Sequence, residues 1–257
     1  MCSVVGGSSS GLRGGRLLGG IQVTSWPPQV FTEVPDLAIA DLRDKVRRLE
    51  DAGVVGLFAG DHYFHPRGDG RLRIGYEPLT VLAAIGSISK LQLGTQVMNS
   101  SWTHPAHHIR PFAQLAGLFG GERVLMGLGA GWDRPEFEAL GMPMPPYRER
   151  VDRLEVACDL ARPLFDDGVA TVDGVAPDLP VSPPVTAPPR LMIGGGSDRI
   201  IEMAGRYADV FDLLPPPAIW SGPAPDLIAS VADFERSIER LAKAAKTTER
   251  PLPIISL

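Results

Sequence analysis

Residues 91–129 read LQLGTQVMNSSWTHPAHHIRPFAQLAGLFGGERVLMGLG. Two short apolar runs, Leu91–Met98 and Arg123–Leu128, flank a longer segment of helical character. Neither run alternates apolar with polar residues, the pattern of a strand buried on both faces, as in a parallel sheet. Pro105 fits the first position of the intervening helix, which runs to about Phe119 and stops at Gly120–Gly121. This is one strand–helix–strand unit.

The same unit recurs in both directions. Further strands are expected at Gly20–Thr24, Val54–Ala59, Leu191–Gly194, Val210–Leu214 and Leu252–Leu257. Between them, Leu42, Val46 and Leu49 share a helix face that Gly53 ends. Tyr147, Val151, Leu154, Cys158, Ala161 and Phe165 form one apolar stripe, so a helix is expected over 147–165 with Cys158 as a core thiol. Another helix is expected over 226–246. The Pro-rich stretch 166–189, with the turn signal Asp173–Gly174, reads as an insertion between strands four and five. The Gly/Ser-rich residues 1–17 read as a disordered N-terminal tail, leaving 18–257 as the folded domain. Strand–helix repetition of this kind leaves a closed barrel or a doubly wound sheet. No G-x-G-x-x-G opens an early βαβ unit, which weakens the second.

Composition narrows the function. The chain has 257 residues, 44% hydrophobic and 21% charged, with a formal net charge of −5, which fits a single large domain. Its pI of about 5.6 argues against a nucleic-acid partner. No apolar run approaches the ~18 residues of a membrane span. Two cysteines cannot build a disulfide framework, so a reducing, cytoplasmic location is expected.

Three clusters stand at the carboxyl ends of expected strands, where barrels carry their active sites. Gly60-Asp61-His62-Tyr63-Phe64-His65 follows strand two. An acid beside an imidazole can tune proton transfer. Both can serve one pocket only where the strand has ended, and the alternative is that Asp61 caps a loop over a packed His62. Gly127-Leu128-Gly129-Ala130-Gly131-Trp132 follows strand four. Alternate glycines allow either close approach to a flat ligand or tight packing at a barrel corner. Gly194-Gly195-Gly196-Ser197-Asp198-Arg199 precedes a helix and is either an anion site, with Arg199 adding charge, or a plain turn. Together they suggest a phosphate-bearing planar cofactor across a barrel mouth. No metal-ligand spacing occurs, and His104, His107 and His108 lie on a helix edge, so no metal is expected.

The segment 91–141, together with GVVGLFAGDHYF before it and PPRLMIGGGSDRIIEMAGRYADVFDLL after it, resembles the bacterial luciferase-like monooxygenase superfamily. More closely it resembles the coenzyme F420-dependent oxidoreductases within that superfamily. The resemblance implies an α/β fold, a (β/α)8 TIM barrel, with a deazaflavin or FMN at the carboxyl ends of its strands. Asp61 and His62 match the acid–His pair near the ring, which makes His62 the proton donor or acceptor. Gln96, Val97 and Met98 match a segment that supports the ring, often through a non-prolyl cis peptide at Gln96–Val97 or Val97–Met98. Gly129, Ala130 and Gly131 match the stretch passing the cofactor, and Gly195, Gly196 and Ser197 the phosphate-binding turn.

A small-molecule substrate would then lie among Phe64, Trp102, His104 and Trp132. GLGAGW followed by Glu136-Phe137 and Leu140-Gly141 most resembles the F420-associated branch, and that resemblance implies F420 and hydride transfer at the deazaflavin C5. The alternatives are an FMN monooxygenase fed by a partner reductase, and a degenerate ligand-binding barrel. Family membership also implies a homodimer. Because the chain ends at Leu257, inside strand seven, a barrel without its last βα unit is expected: a truncated product, a fragment, or a subunit completed by its partner.

Overall fold

The computed structural model describes residues 20–23, 39–66, 72–74, 76–180, 187–214 and 227–256. The expected tail 1–17 and the strand ends Thr24 and Leu257 lie outside these residues. In chain order the elements are β1 (Gly20–Val23), α1 (Ile39–Asp51), β2 (Gly56–Ala59), β3 (Phe64–Pro66), β4 (Leu72–Ile74), α2 (Pro78–Gly86), β5 (Gln92–Thr95), β6 (Met98–Asn99), α3 (Ala106–Phe119), β7 (Val124–Gly129), α4 (Arg134–Ala139), α5 (Tyr147–Asp166), β8 (Val169–Val172), β9 (Ala176–Pro180), β10 (Arg190–Gly195), α6 (Asp198–Tyr207), β11 (Val210–Leu213), α7 (Leu227–Thr247) and β12 (Ile254–Ser256).

One sheet runs β1-β2-β5-β7-β10-β11-β12, with β6 also on β7, and every pairing in it is parallel. The order follows the chain without reversal. A doubly wound sheet reverses at a switch point, so the winding is that of a barrel. Among the described residues, β1 and β12 each pair on one side, and the sheet is open there. All seven strands expected from the apolar runs are present. Pro105 caps α3 from outside instead of opening it, and Gly120, at φ +92°, ends it.

Burial divides the strand residues into two sets. Leu57 and Leu93 pack against α1 and α2, while Met126, Leu128, Leu191, Ile193 and Phe211 pack against α3, α5 and α6. The residues between them in sequence, Leu125, Met192 and Val210, join Phe58 and Val97 in a separate cluster inside the curve of the sheet. Both faces are therefore apolar, which is why no alternation shows in the sequence. In α5, Val151, Leu154, Cys158, Ala161 and Phe165 are buried as the stripe requires, but Tyr147, in the first turn of the helix, is exposed, its hydroxyl bonded to Ser197. Burial pushes the Cys158 thiol well up. Residues 169–180 of the Pro-rich stretch form an antiparallel hairpin, β8–β9, whose Ala170 and Ala176 extend the helix-side core. No helix among the described residues is long and apolar enough to cross a membrane.

One irregularity positions the site. β5 pairs with β7 only through Leu93 and Gly94, and pairing resumes at Met98 in β6. In the gap, the buried Thr95 hydroxyl donates to Gly127 O (2.9 Å) and accepts from Gly127 N (3.1 Å). It replaces the missing ladder pair on the β7 side, while Gln96 N still bonds to Ala59 O at the end of β2 at 2.9 Å. Thr95→Val keeps the shape but strands two buried backbone groups. The expected loss is about 2–3 kcal/mol of unfolding free energy by denaturant titration. A loss below ~0.5 kcal/mol, the range of inconsequential substitutions, would show that the hydroxyl does not hold the gap.

Candidate active site

β2 ends at Ala59, and Gly60 carries the chain off the sheet before Asp61 and His62. Released from the alternation of a strand, the two neighbours reach different elements. Asp61 Oδ2 accepts the Asn99 amide at 2.9 Å, tying this loop to the end of β6. Burial pushes the Asp61 carboxyl up from 3.8 to about 6, against the opposing pull of the Asn99 bond and of His62, with Glu77 and Glu136 adding to the rise.

His62 turns toward α4, where its Nδ1 lies 3.0 Å from Glu136 Oε2. Glu136 is 1% exposed, and its Oε1 accepts Tyr63 N at 2.6 Å and Phe64 N at 3.3 Å. A carboxylate saturated by donors in this way is held as an acceptor, so the hydrogen between it and His62 belongs on Nδ1. The sequence pointed to Glu136 only as part of a resemblance and assigned it no role. The legible signal was an acidic side chain in the first turn of a helix directly after a glycine-rich strand end.

The Gln96–Val97 peptide is cis. Val97 is half-buried and occupies a groove made by three glycines. A Cβ on Gly129 would meet Val97 Cγ2 at 2.5 Å, and those on Gly127 and Gly194 would meet Val97 Cγ1 at 3.2 and 3.0 Å. These glycines therefore seat Val97, and Val97 in turn forms the surface at the strand ends. Gln96 Nε2 donates to Asp212 Oδ1 of β11 at 2.8 Å. Met98 faces the helix-side core. The tail of β6 is stitched to β7: Ser100 Oγ donates to Gly129 O at 2.8 Å and Ser101 Oγ to Ala130 O at 3.0 Å. Gly131, at φ +77°, packs against the Asn99 side chain.

On the neighbouring strand, Gly195 (φ +151°) and Gly196 lead into Ser197, the residue capping α6. A Cβ on Gly196 would strike Leu214 O at 2.6 Å. Ser197 Oγ accepts the Tyr147 hydroxyl at 2.7 Å. Arg199 turns the other way, to Asp152 and Glu155 on α5, so its charge is engaged on the helix layer.

Aromatic rings line the His62 side. Trp132 is 68% exposed, with its ring edge-on to His62 at 5.7 Å between centroids. Trp102 stands edge-on to Tyr63 at 5.2 Å and to the buried Phe137 at 6.0 Å. Phe64 is half-buried in the β3–β4 hairpin. His104 lies apart from this group: its Nε2 meets Val175 O in the β8–β9 hairpin, and its Nδ1 accepts Ala106 N. Among the described residues, His62, Asp133 and Glu136 bring potential metal-ligand atoms within 4.8 Å of one another. A cation there would compete with His62 and two backbone amides for Glu136.

Comparison with known proteins places this arrangement. The family model for luciferase-like monooxygenases matches residues 20–249. An F420-dependent glucose-6-phosphate dehydrogenase of Kribbella flavida is 30% identical over 183 residues, covering 66% of this chain and 52% of that protein. The chain spans about half the length of the curated relatives it matches. Among solved structures, an F420-dependent secondary alcohol dehydrogenase in complex with an F420-acetone adduct superposes with a TM-score of 0.62 at 21% identity, covering 85% of this chain and 64% of that one. The monooxygenase RslO1 from Streptomyces bottropensis gives 0.64 at 20% identity, over 90% and 67%. These likenesses share the fold described above. The chain belongs to the luciferase-like monooxygenase family.

Proposed function

We propose that this chain carries the cofactor site of an F420-dependent oxidoreductase that moves a hydride between C5 of the deazaflavin and a carbon of a small organic substrate. The observation that carries the reading is the buried His62–Glu136 pair next to Asp61, in a loop bonded to the end of β6 at the carboxyl edge of the sheet. The names of the curated relatives support F420 as the cofactor.

The residues present fit a planar heterocycle. Val97 offers a half-buried branched apolar surface, and the strand ends around it are glycines, so backbone polar groups stand close to its rim. Asp61 adds a buried carboxyl, and the N-terminus of α6, with Ser197, suits an anionic tail. When bound, the deazaflavin supplies the two-electron chemistry at its C5.

The chain's own residues then hold the substrate and move one proton. Glu136 fixes the imidazole through Nδ1, so His62 exchanges its proton at Nε2 with the substrate oxygen. Phe64, Trp102 and the exposed Trp132, edge-on to His62, offer aromatic surface for the substrate. The dehydrogenase relatives make a hydroxyl-bearing carbon the first substrate class to test. A cytoplasmic location and a homodimer belong to the same reading.

Fluorescence titration of the full chain with F420 and FMN in parallel tests it. Micromolar F420 binding with weaker FMN binding is expected. FMN preference would redirect the chain to oxygen chemistry with a partner reductase, and binding of neither would end the reading.

His62→Ala should lower turnover on short secondary alcohols or glucose 6-phosphate by roughly 10²-fold, with F420 affinity within a few fold. Glu136→Gln should lower kcat by ~10-fold, because the imidazole loses its anchor. Full turnover in Glu136→Gln would remove the relay.

For Asp61, the folded carboxyl sits at about 6, above its ordinary 3.8, so the folded state holds the proton more tightly. Its contribution to stability is fully present below pH ~4 and is lost as pH rises through ~6. Thermal melts should show the wild type gaining on Asp61→Asn as pH falls from 7 to 4. A constant difference would place the Asp61 titration elsewhere.

A further inference from the structure

Asp212 is the acidic residue of β11, set between Phe211 and Leu213, which both face the helices. The alternation along the strand turns it inward, one layer above Val210. It is 6% exposed and stands beside Gly194, whose Cβ would lie 3.6 Å from Asp212 Oδ2. Its Oδ1 takes the Gln96 side-chain amide at 2.8 Å from across the interior of the sheet, although Gln96 directly follows β5 and Asp212 lies on β11, which are not neighbours. The residue after Gln96 is Val97, seated among Gly127, Gly129 and Gly194. One carboxylate thus ties the segment between β5 and β6 to a strand two places beyond β7.

We propose that Asp212 is a positioning residue for the cofactor: by holding Gln96 across the sheet interior it fixes the Val97 surface against which the ring rests. The inference rests on the reading above, that F420 binds at this edge. Burial raises the Asp212 carboxyl above its ordinary range, and the bonds from Gln96 and Ser256 only partly offset that rise. A buried carboxylate in that condition burdens the fold. Replacing it together with its partner by apolar groups is often neutral or stabilising, whereas removing it alone leaves the Gln96 side-chain amide without this acceptor. The Gln96–Asp212 pair as a unit thus gives the fold little, and its benefit lies in binding.

The test compares the wild type, Asp212→Asn and the double variant Gln96→Leu/Asp212→Val on the full chain, reading melting temperature and F420 affinity together. Asp212→Asn keeps an acceptor for Gln96 and should bind F420 within about threefold of wild type. The double variant removes both partners and so should melt at the same or a higher temperature, yet bind F420 ~10-fold more weakly, the scale of one lost hydrogen bond to a charged group. Wild-type affinity in the double variant would overturn the proposal. So would a joint fall of melting temperature and affinity, since that is what a purely structural residue gives. A wild-type chain that binds no F420 would instead remove the functional reading and this inference with it.

Discussion

The exchange of hydrogen bonds between the Thr95 hydroxyl and the Gly127 peptide is the constraint on which the rest of the site depends. A parallel sheet tolerates a gap in the pairing of two strands only if the abandoned backbone groups find other partners. Thr95 supplies both with one side chain, because a hydroxyl donates and accepts. Directly after it, Gln96 bonds to Asp212 and Val97 packs on three glycines. The glycine-rich sequence of β7 and the Thr-Gln-Val sequence after Gly94 are two halves of one packing solution. A methyl group at 129 would meet Val97 at 2.5 Å, so the two positions restrict each other.

The second organising feature is the divergence of Asp61 and His62 after the strand ends. Asp61 is drawn to the end of β6 by an amide, and His62 to α4 by a carboxylate. Glu136 is bonded to the amides of Tyr63 and Phe64 as well as to the imidazole. It therefore sets both the path of the loop and the orientation of the ring that the loop carries. Such coupling fixes the imidazole, which cannot turn without breaking a buried bond.

The fold was legible because its signals are local and repeated. Leu93, Met126, Ile193 and Phe211 belong to apolar runs too short for helices and bounded by turn residues, and the stripe through Leu154 and Cys158 has the helical period. Asp61 and His62 were legible by their place after a strand, and the Gln96–Val97 cis bond by family resemblance. Glu136 and Asp212 were not. Each acts through a partner distant in sequence, 74 residues away for His62–Glu136 and 116 for Gln96–Asp212, and periodicity says nothing about such pairs. Thr95 was hidden for another reason: one threonine in a buried strand reads as an ordinary β-former. The glycines had two open readings, and the structure gives Gly127 and Gly129 a packing role against Thr95 and Val97.

The central claim is that a planar cofactor rests on Val97 between the Asp61–His62 loop and the glycine-rich strand ends. Hydrogen exchange of the full chain with and without F420 tests it most directly. The account predicts slowed exchange in residues 61–64, 97–101 and 129–132, with a smaller effect at 195–198. Protection confined to the outer helices, with 61–64 and 97–101 unchanged, would contradict it.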